Sequence, residues 1–313
     1  MVFTNNPGDL DWSDISGLGE LTVYDRTAAD DIVKRCENAT IIFINKVIIN
    51  AEVIDRLPQL KYIGLLSTGT NAVDLEYAAA KKICVTNIPG YGTSSVTQHV
   101  LAFMLHFSSQ INVHNNAVQN GEWERSADFC FTVSTIHELS GATLGIIGLG
   151  AIGQQVAAIG NVMGMKIVAS HQSSMNRLAL PYDVEWLPVD EVFKRADYLT
   201  LNCPLNSDTE SIVNHEHLNL MKDSSVLINT GRGQLIDEQA LSDALNNNSI
   251  AGAGLDVLCT EPPFADNPLL KAKNCVITPH IGWASLEARQ RLIEIAVENL
   301  TSYISGTTVN RVN

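Results

Sequence analysis

Seven residues have the types and spacing from which a reaction can be assembled: Gly148, Gly150 and Gly153 in TLGIIGLGAIG, then Arg232, Asp256, Glu261 and His280. Thr143 to Ile147 reads as a buried strand, and Ile152, Val156, Ile159 and Met163 recur at helical spacing, so the glycines fall on a strand-to-helix turn. Gly148 permits the tight turn, Gly150 leaves no side chain where a pyrophosphate must approach the backbone, and Gly153 lets helix pack on strand. The helix opening at Ala151 and Ile152 presents free N–H groups and partial positive charge to the phosphates. With a second strand at Lys166 to Ala169, the context is that of a dinucleotide-binding turn.

In an open parallel sheet, ligands bind beyond the carboxyl ends of the strands. Arg232 lies in NTGRGQ after SVLIN, Asp256 ends GAGLDV, Glu261 follows in LCTEPP, and His280 follows CVITP. Singly, each has an ordinary reading as a solvated arginine, a turn acid or a satisfied histidine. Together they make chemical sense. A guanidinium grips a carboxylate with two parallel hydrogen bonds and polarises an adjacent carbonyl. An imidazolium gives a proton to a carbonyl oxygen whose carbon takes a hydride from nicotinamide. A neighbouring carboxylate favours the charged ring and fixes its tautomer.

These residues need a sheet to hold them. TLGII (143–147), KIVA (166–169), VEWL (184–187), YLTLN (198–202), SVLIN (225–229), GAGLDV (252–257) and CVIT (275–278) predict strands buried on both faces, a doubly wound sheet. Upstream, LTVY (21–24), TIIFI (40–44), YIGLL (62–66) and ICVT (83–86) alternate with the helical TAADDIVKRC, AEVIDRL and VDLEYAAAKK, again the βαβ pattern of a parallel sheet. The start, MVFTNNPGDL, holds only a stub of a first strand. STGTNAVD after YIGLL is either an ordinary surface turn or, through the N–H groups of Thr68 and Gly69, an anion nest for a small carboxylate. Ser95-Val-Thr-Gln98 fits a capping box, which makes Gln98 a cap rather than a catalyst. A long helix then runs to about Gln119, with the domain boundary at its start. Leu286 to about Ile304 reads as a last helix able to pack back on the N-terminal region.

The 313 residues suffice for two domains, each with its own core, and 45% hydrophobic with 17% charged residues is ordinary globular composition. No apolar stretch approaches the ~20 residues of a membrane span and the start lacks the pattern of an export signal, so a cytoplasmic enzyme with no membrane attachment is expected. The formal charge of −14 argues against nucleic acid or anionic lipid as partner. Cys36, Cys84, Cys130, Cys203, Cys259 and Cys275 are scattered without CxxC or zinc spacing and read as reduced, small apolar residues. His215 and His217 flank Glu216, but an i, i+2 pair faces opposite ways on a helix, so no metal site is expected.

STGTNAVD, PGYGTSSV, the glycine turn, NCPLNSDT, INTGRGQLIDEQAL, AGAGLDV, EPP and TPHIGWAS resemble, in order and across essentially the whole chain, the motifs of the D-isomer-specific 2-hydroxyacid dehydrogenases. The resemblance implies two doubly wound α/β domains, a Rossmann-type nucleotide domain (96–285) inserted in a smaller flavodoxin-like substrate domain (1–95 plus 286–313), with a cleft between them and a homodimer. It implies that Arg232 binds and polarises a 2-keto acid, that His280 is the acid/base and that Glu261 supports it. Asp256, Thr230 and Cys203 with Pro204 become cofactor contacts, and Thr68 with Gly69 carboxylate-binding backbone. NPGDL, FCF (129–131) and HIGWASLEARQRL are most similar to the glycerate dehydrogenase or hydroxypyruvate reductase branch. The implied reaction is reversible reduction of hydroxypyruvate, glyoxylate or pyruvate to D-glycerate, glycolate or D-lactate.

One departure concerns the coenzyme. An acidic residue about 20 positions past the fingerprint normally bonds the adenosine ribose of NAD, whereas here KIVAS runs into His171, Gln172 and Ser173. A carboxylate there would repel a 2′-phosphate, and these residues offer donors instead. The cofactor expected is therefore NAD(P)H, with NADPH accepted. The alternative from another class is a dinucleotide-sensing corepressor-like binding protein of the same fold.

Overall fold

The computed structural model describes residues 10–170 and 180–313. The strand stub expected at the start and the coenzyme positions His171, Gln172 and Ser173 lie outside the described residues. The chain divides into two compact units, Met1–Gly92 with Ala284–Asn313, and Thr93–Trp283.

The first unit carries α1 (Ser13–Ser16), α2 (Ile32–Cys36), β1 (Ile41–Ile44), α3 (Ala51–Asp55), β2 (Tyr62–Leu65), α4 (Leu75–Ala80) and β3 (Cys84–Thr86). Its strands pair in parallel in the order β1-β2-β3. Asn50 and Asp74 start α3 and α4 by accepting from the N–H groups of Val53 and Tyr77, a side-chain oxygen satisfying an orphan donor of the first turn. Ile42, Ile44, Ile63, Leu65 and Val85 then bury against Ile32, Cys36, Ile54 and Ala78. LTVY is not a strand. Its side chains are exposed or half-buried, whereas a parallel-sheet strand is covered on both faces. Tyr24 instead leans on this core and carries the Arg35 guanidinium 4.4 Å over its ring.

The second unit begins with α5 (Thr93–Ser109) and α6 (Ile111–Gln119), followed by β4 (Thr143–Ile147), α7 (Ala151–Val162), β5 (Lys166–Ser170), β6 (Glu185–Leu187), α8 (Val189–Arg195) and β7 (Tyr198–Leu201). It continues with α9 (His215–Leu220), β8 (Val226–Asn229), α10 (Glu238–Asn246), β9 (Gly252–Leu255) and β10 (Cys275–Ile277). The last helix, α11 (Leu286–Ile304), belongs to the first unit, where Asn299 Nδ2 donates to the Asn87 carbonyl and the Tyr303 ring sits 4.8 Å from that of Tyr62. No helix among the described residues is long and apolar enough to cross a membrane.

Two expectations about α5 are corrected. The helix opens at Thr93, two residues before Ser95, so Ser95 does not cap it; the Ser95 hydroxyl donates instead to the Gly282 carbonyl at 2.6 Å, and Gln98 is an exposed mid-helix residue. The single long helix is two, because Gln110 adopts a left-handed φ of 52° and interrupts the i to i−4 ladder.

Seven parallel strands run β10-β9-β8-β7-β4-β5-β6, so the direction of winding reverses between β4 and β7. Each face has its own core. Leu144, Ile146, Val226 and Ile228 meet Val100, Phe103, Val156 and Ala157 of α5 and α7, while Ile147, Leu199, Leu201 and Leu227 meet Phe193, Leu218 and Leu241 of α8, α9 and α10. This period-two partition makes the sheet doubly wound. GAGL is glycine-rich because α5 lies hard on β9: a Cβ on Gly254 would stand 2.6 Å from Cγ of Phe103. Gly254→Ala is therefore expected to destabilise the protein by about 1–3 kcal/mol through overpacking, measured as a lowered midpoint in urea unfolding.

Candidate active site

The sheet register sets the site. Ile147 pairs with Leu201, Leu201 with Asn229, Asn229 with Leu255, and Leu255 with Ile277. The residues that follow, Gly148, Asn202, Thr230, Asp256 and Thr278, therefore stand in one row along the carboxyl edge, successive strands lying ~4.8 Å apart. Arg232 and His280 each come two residues past that row, their strands separated by two spacings, roughly 10 Å.

At the reversal point, Gly148 has φ +96° and a Cβ there would lie 2.5 Å from the Cys203 nitrogen, so the turn closes only on glycine. A Cβ on Gly153 would sit 2.2 Å from the Gly148 carbonyl oxygen. A Cβ on Gly150 would meet nothing within 4 Å, and Gly150 contributes no side-chain cap to α7. The first N–H groups of α7, at Ala151 and Ile152, thus keep their donors beside a space with no side chain in it, which fits an anionic pyrophosphate. Beside the turn, the Asn202 amide reaches Thr200 Oγ1 through Nδ2 at 3.3 Å, while its buried Oδ1 has no hydrogen-bond partner among the described residues. A buried unpaired acceptor at a crevice fits a ligand that donates to it. Sequence reasoning passed over Asn202; its place directly after an apolar strand was the available signal.

Cys203 and Thr230 are buried beside this edge and Pro204 is exposed. Burial pushes the Cys203 thiol up, and burial with Glu238 beside it pushes Cys259 up to about 11. Both stay protonated and neither is a ready nucleophile.

The Arg232 loop is shaped by Asn229, also missed from sequence. Its buried side chain accepts from Gly231 N at 3.0 Å and donates to the Arg232 carbonyl at 2.8 Å. Arg232 Nη1 donates to the Gly231 carbonyl, and among the described residues no carboxylate lies within salt-bridge distance of the guanidinium. Gly233 then passes against the next loop, where a Cβ would be 2.0 Å from the Leu258 carbonyl carbon, and Gln234 Nε2 donates to the Cys259 carbonyl. Only glycine lets the arginine loop lie on the segment that carries Glu261.

Glu261 accepts from Leu258 N through Oε1 at 3.1 Å and meets His280 Nδ1 through Oε2 at 2.6 Å. Both side chains are about one-third exposed, at 36% and 32%. With Nδ1 held by the carboxylate, the ring turns Nε2 away from Glu261. The His280 backbone has φ +55°, a left-handed conformation worth about 1–3 kcal/mol of strain for a residue with a side chain. Asp256 holds it there. This carboxylate is 2% exposed and accepts from Thr278 Oγ1 at 2.6 Å, Ile281 N at 2.8 Å and Gly282 N at 2.7 Å, while His280 N donates to the Thr278 carbonyl. Of roughly four acceptor positions on a carboxylate, three are thus taken inside the protein. Asp256, expected as a cofactor contact, is first of all the anchor of the histidine turn.

Thr68 and Gly69 belong to the first unit. The Thr68 hydroxyl donates to the Ile88 carbonyl and its own carbonyl accepts from Asn87 Nδ2, so the side chain pins the turn to the segment after β3.

Residues 101–282 match the family model described as "D-isomer specific 2-hydroxyacid dehydrogenase, NAD binding domain". The chain is 45% identical over 311 residues to a hydroxypyruvate reductase of Blautia hydrogenotrophica, covering 98% of this chain and 96% of the relative. It is 38% identical over 294 residues to a glycerate dehydrogenase of Methylorubrum extorquens, covering 93% and 91%. Among solved structures, an acyclic imino acid reductase in complex with NADPH and D-Arg superposes with a TM-score of 0.87 at 31% identity, over the full length of both chains. The match to the family model and the full-length identity to these enzymes agree with the glycine turn and the His280–Glu261 pair: the chain belongs to the D-isomer specific 2-hydroxyacid dehydrogenase family.

Proposed function

We propose that this chain reduces a small 2-keto acid, hydroxypyruvate foremost, to the D-2-hydroxy acid with NAD(P)H, and runs the reverse oxidation on the same residues. The observation that carries the reading is the 2.6 Å pair between His280 Nδ1 and Glu261 Oε2, joined through Gly233 and Leu258 to a loop arginine with no carboxylate beside it among the described residues. The substrate preference is supported by the names of two relatives, a hydroxypyruvate reductase and a glycerate dehydrogenase.

The bound nicotinamide supplies the hydride. Gly148, Gly150 and Gly153 with the N–H groups of Ala151 and Ile152 would hold the pyrophosphate of the dinucleotide, and Asn202, Cys203, Pro204 and Thr230 would line the crevice edge beside it. Arg232 binds the substrate carboxylate and polarises the ketone, its planar fork matching two oxygens at once. In the first unit, the N–H groups of Thr68 and Gly69 offer an anion nest for a small carboxylate. His280 gives its Nε2 proton to the carbonyl oxygen while Glu261 keeps Nδ1 protonated and the ring in place; in the oxidation the neutral ring takes that proton back. Reduction therefore spends the proton on Nε2, and oxidation returns it.

The dinucleotide-sensing alternative is not favoured, because the relatives are named as reductases and dehydrogenases. The homodimer stays part of the reading, supported by the exposed apolar residues Ile111, Trp123, Phe129 and Ile136 in the segment that includes α6.

His280→Ala is expected to lower kcat for hydroxypyruvate reduction by ~10²–10⁴, and a stopped-flow assay with an unchanged kcat would remove the residue from this role. Arg232→Lys replaces a planar fork with a point charge and is expected to raise KM for the keto acid at least ~10-fold; steady-state kinetics at the wild-type KM would leave the carboxylate clamp unassigned. NADPH is expected to serve with a kcat/KM at least equal to that of NADH, since donors rather than a carboxylate follow β5. A strong NADH advantage in the same assay rules this out.

A further inference from the structure

Next to the His280–Glu261 pair lies a second imidazole and carboxylate that the mechanism above does not use. His99, on α5, places Nε2 2.8 Å from Thr278 Oγ1 and 3.5 Å from Asp256 Oδ1, and its ring meets Phe103 edge-on with centroids 4.8 Å apart. The proton positions follow from the partners. Asp256 is the acceptor for the Thr278 hydroxyl, so that hydroxyl has no proton left for His99 and must accept from it. His99 therefore carries its proton on Nε2. The chain of donors runs His99 Nε2–H to Thr278 Oγ1, Thr278 O–H to Asp256 Oδ1, with the other Asp256 contacts made to the N–H groups of Ile281 and Gly282.

One turn earlier on the same face of α5, Ser95 donates to the Gly282 carbonyl at 2.6 Å. Residues four apart stand above one another on a helix. α5 thus grips the 278–282 turn at both ends, His99 at Thr278 and Ser95 at Gly282, with the left-handed His280 between the two attachments.

We propose that His99 is a positioning residue of the reduction: acting through Thr278 and Asp256, it holds the backbone turn that aims the His280 ring. This rests on the reading of His280 as proton donor. Hydrogen bonds in such a chain polarise one another, so losing the first donor loosens those that follow, and small displacements of a reacting group are costly in rate.

The test uses the full chain with hydroxypyruvate and saturating NADH, and compares His99→Leu, which removes the donor, with His99→Gln, which returns an N–H at about the same reach. His99→Leu is expected to lower kcat by roughly 10- to 100-fold, with the NADH Kd, read by nucleotide fluorescence, and the KM within about 3-fold of wild type. His99→Gln is expected to restore kcat to within about 3-fold. Should His99→Leu not fold, Thr278→Val against Thr278→Ser poses the same question, with loss expected in the first and retention in the second. Wild-type kcat in His99→Leu, or equal losses in His99→Leu and His99→Gln, overturns the proposal. If His280→Ala loses activity while His99→Leu does not, only the positioning role falls; if His280→Ala keeps its activity, both readings fall.

Discussion

The turn that carries His280, the acid/base group of the proposed reaction, is held in place by a buried carboxylate. At 2% exposure the Asp256 carboxyl depends on hydrogen-bond partners inside the protein, since a polar group buried without them costs roughly 2–7 kcal/mol. It is compensated by three donors, and two of them are the backbone amides immediately after His280. The same bonds that make the burial tolerable also set the conformation of the turn. Local strain at the histidine and electrostatic satisfaction at the aspartate are thus two sides of one arrangement.

That arrangement presupposes the register of a parallel sheet. Because β4, β7, β8, β9 and β10 end in step, one residue from each falls in a single row, and chemistry drawn from positions as distant in sequence as Gly148 and Thr278 becomes local. Loops then need only two further residues to bring forward an arginine on one side and a histidine on the other. Gly233 shows how tightly those loops are nested, since a methyl carbon there would stand 2.0 Å from the Leu258 carbonyl carbon, far inside van der Waals contact.

Much of this was legible in the sequence for a physical reason. Strands buried on both faces must be apolar runs, and the seven runs from residue 143 onward are the seven strands of the larger sheet, within a residue or two at their ends, although the edge strands β6 and β10 are not buried on both faces as expected. Polar residues just past such runs lie at the carboxyl edge where a parallel sheet binds its ligands, which singled out Arg232, Asp256, Glu261 and His280. What stayed illegible depends on partners far away in the chain. Ser95 has the sequence surroundings of a cap, but its hydroxyl is claimed by Gly282. Gln110 breaks a helix without glycine or proline to announce it, and LTVY has strand composition without cover on both faces. Asn229 and Asn202 look like turn residues, and their importance comes from being buried.

The first unit is made of two stretches of chain that are not neighbours in sequence, Met1–Gly92 and Ala284–Asn313. During synthesis the ribosome must add roughly 190 residues before α11 can reach the strands it covers, an interval on the order of 10–40 s at ordinary elongation rates. The intervening unit is continuous and can complete its seven strands in that time, while Tyr62 and its neighbours wait without the helix that later shields them. Translation speed and chaperone attendance therefore bear most heavily on the smaller sheet, although its strands are the first to be made.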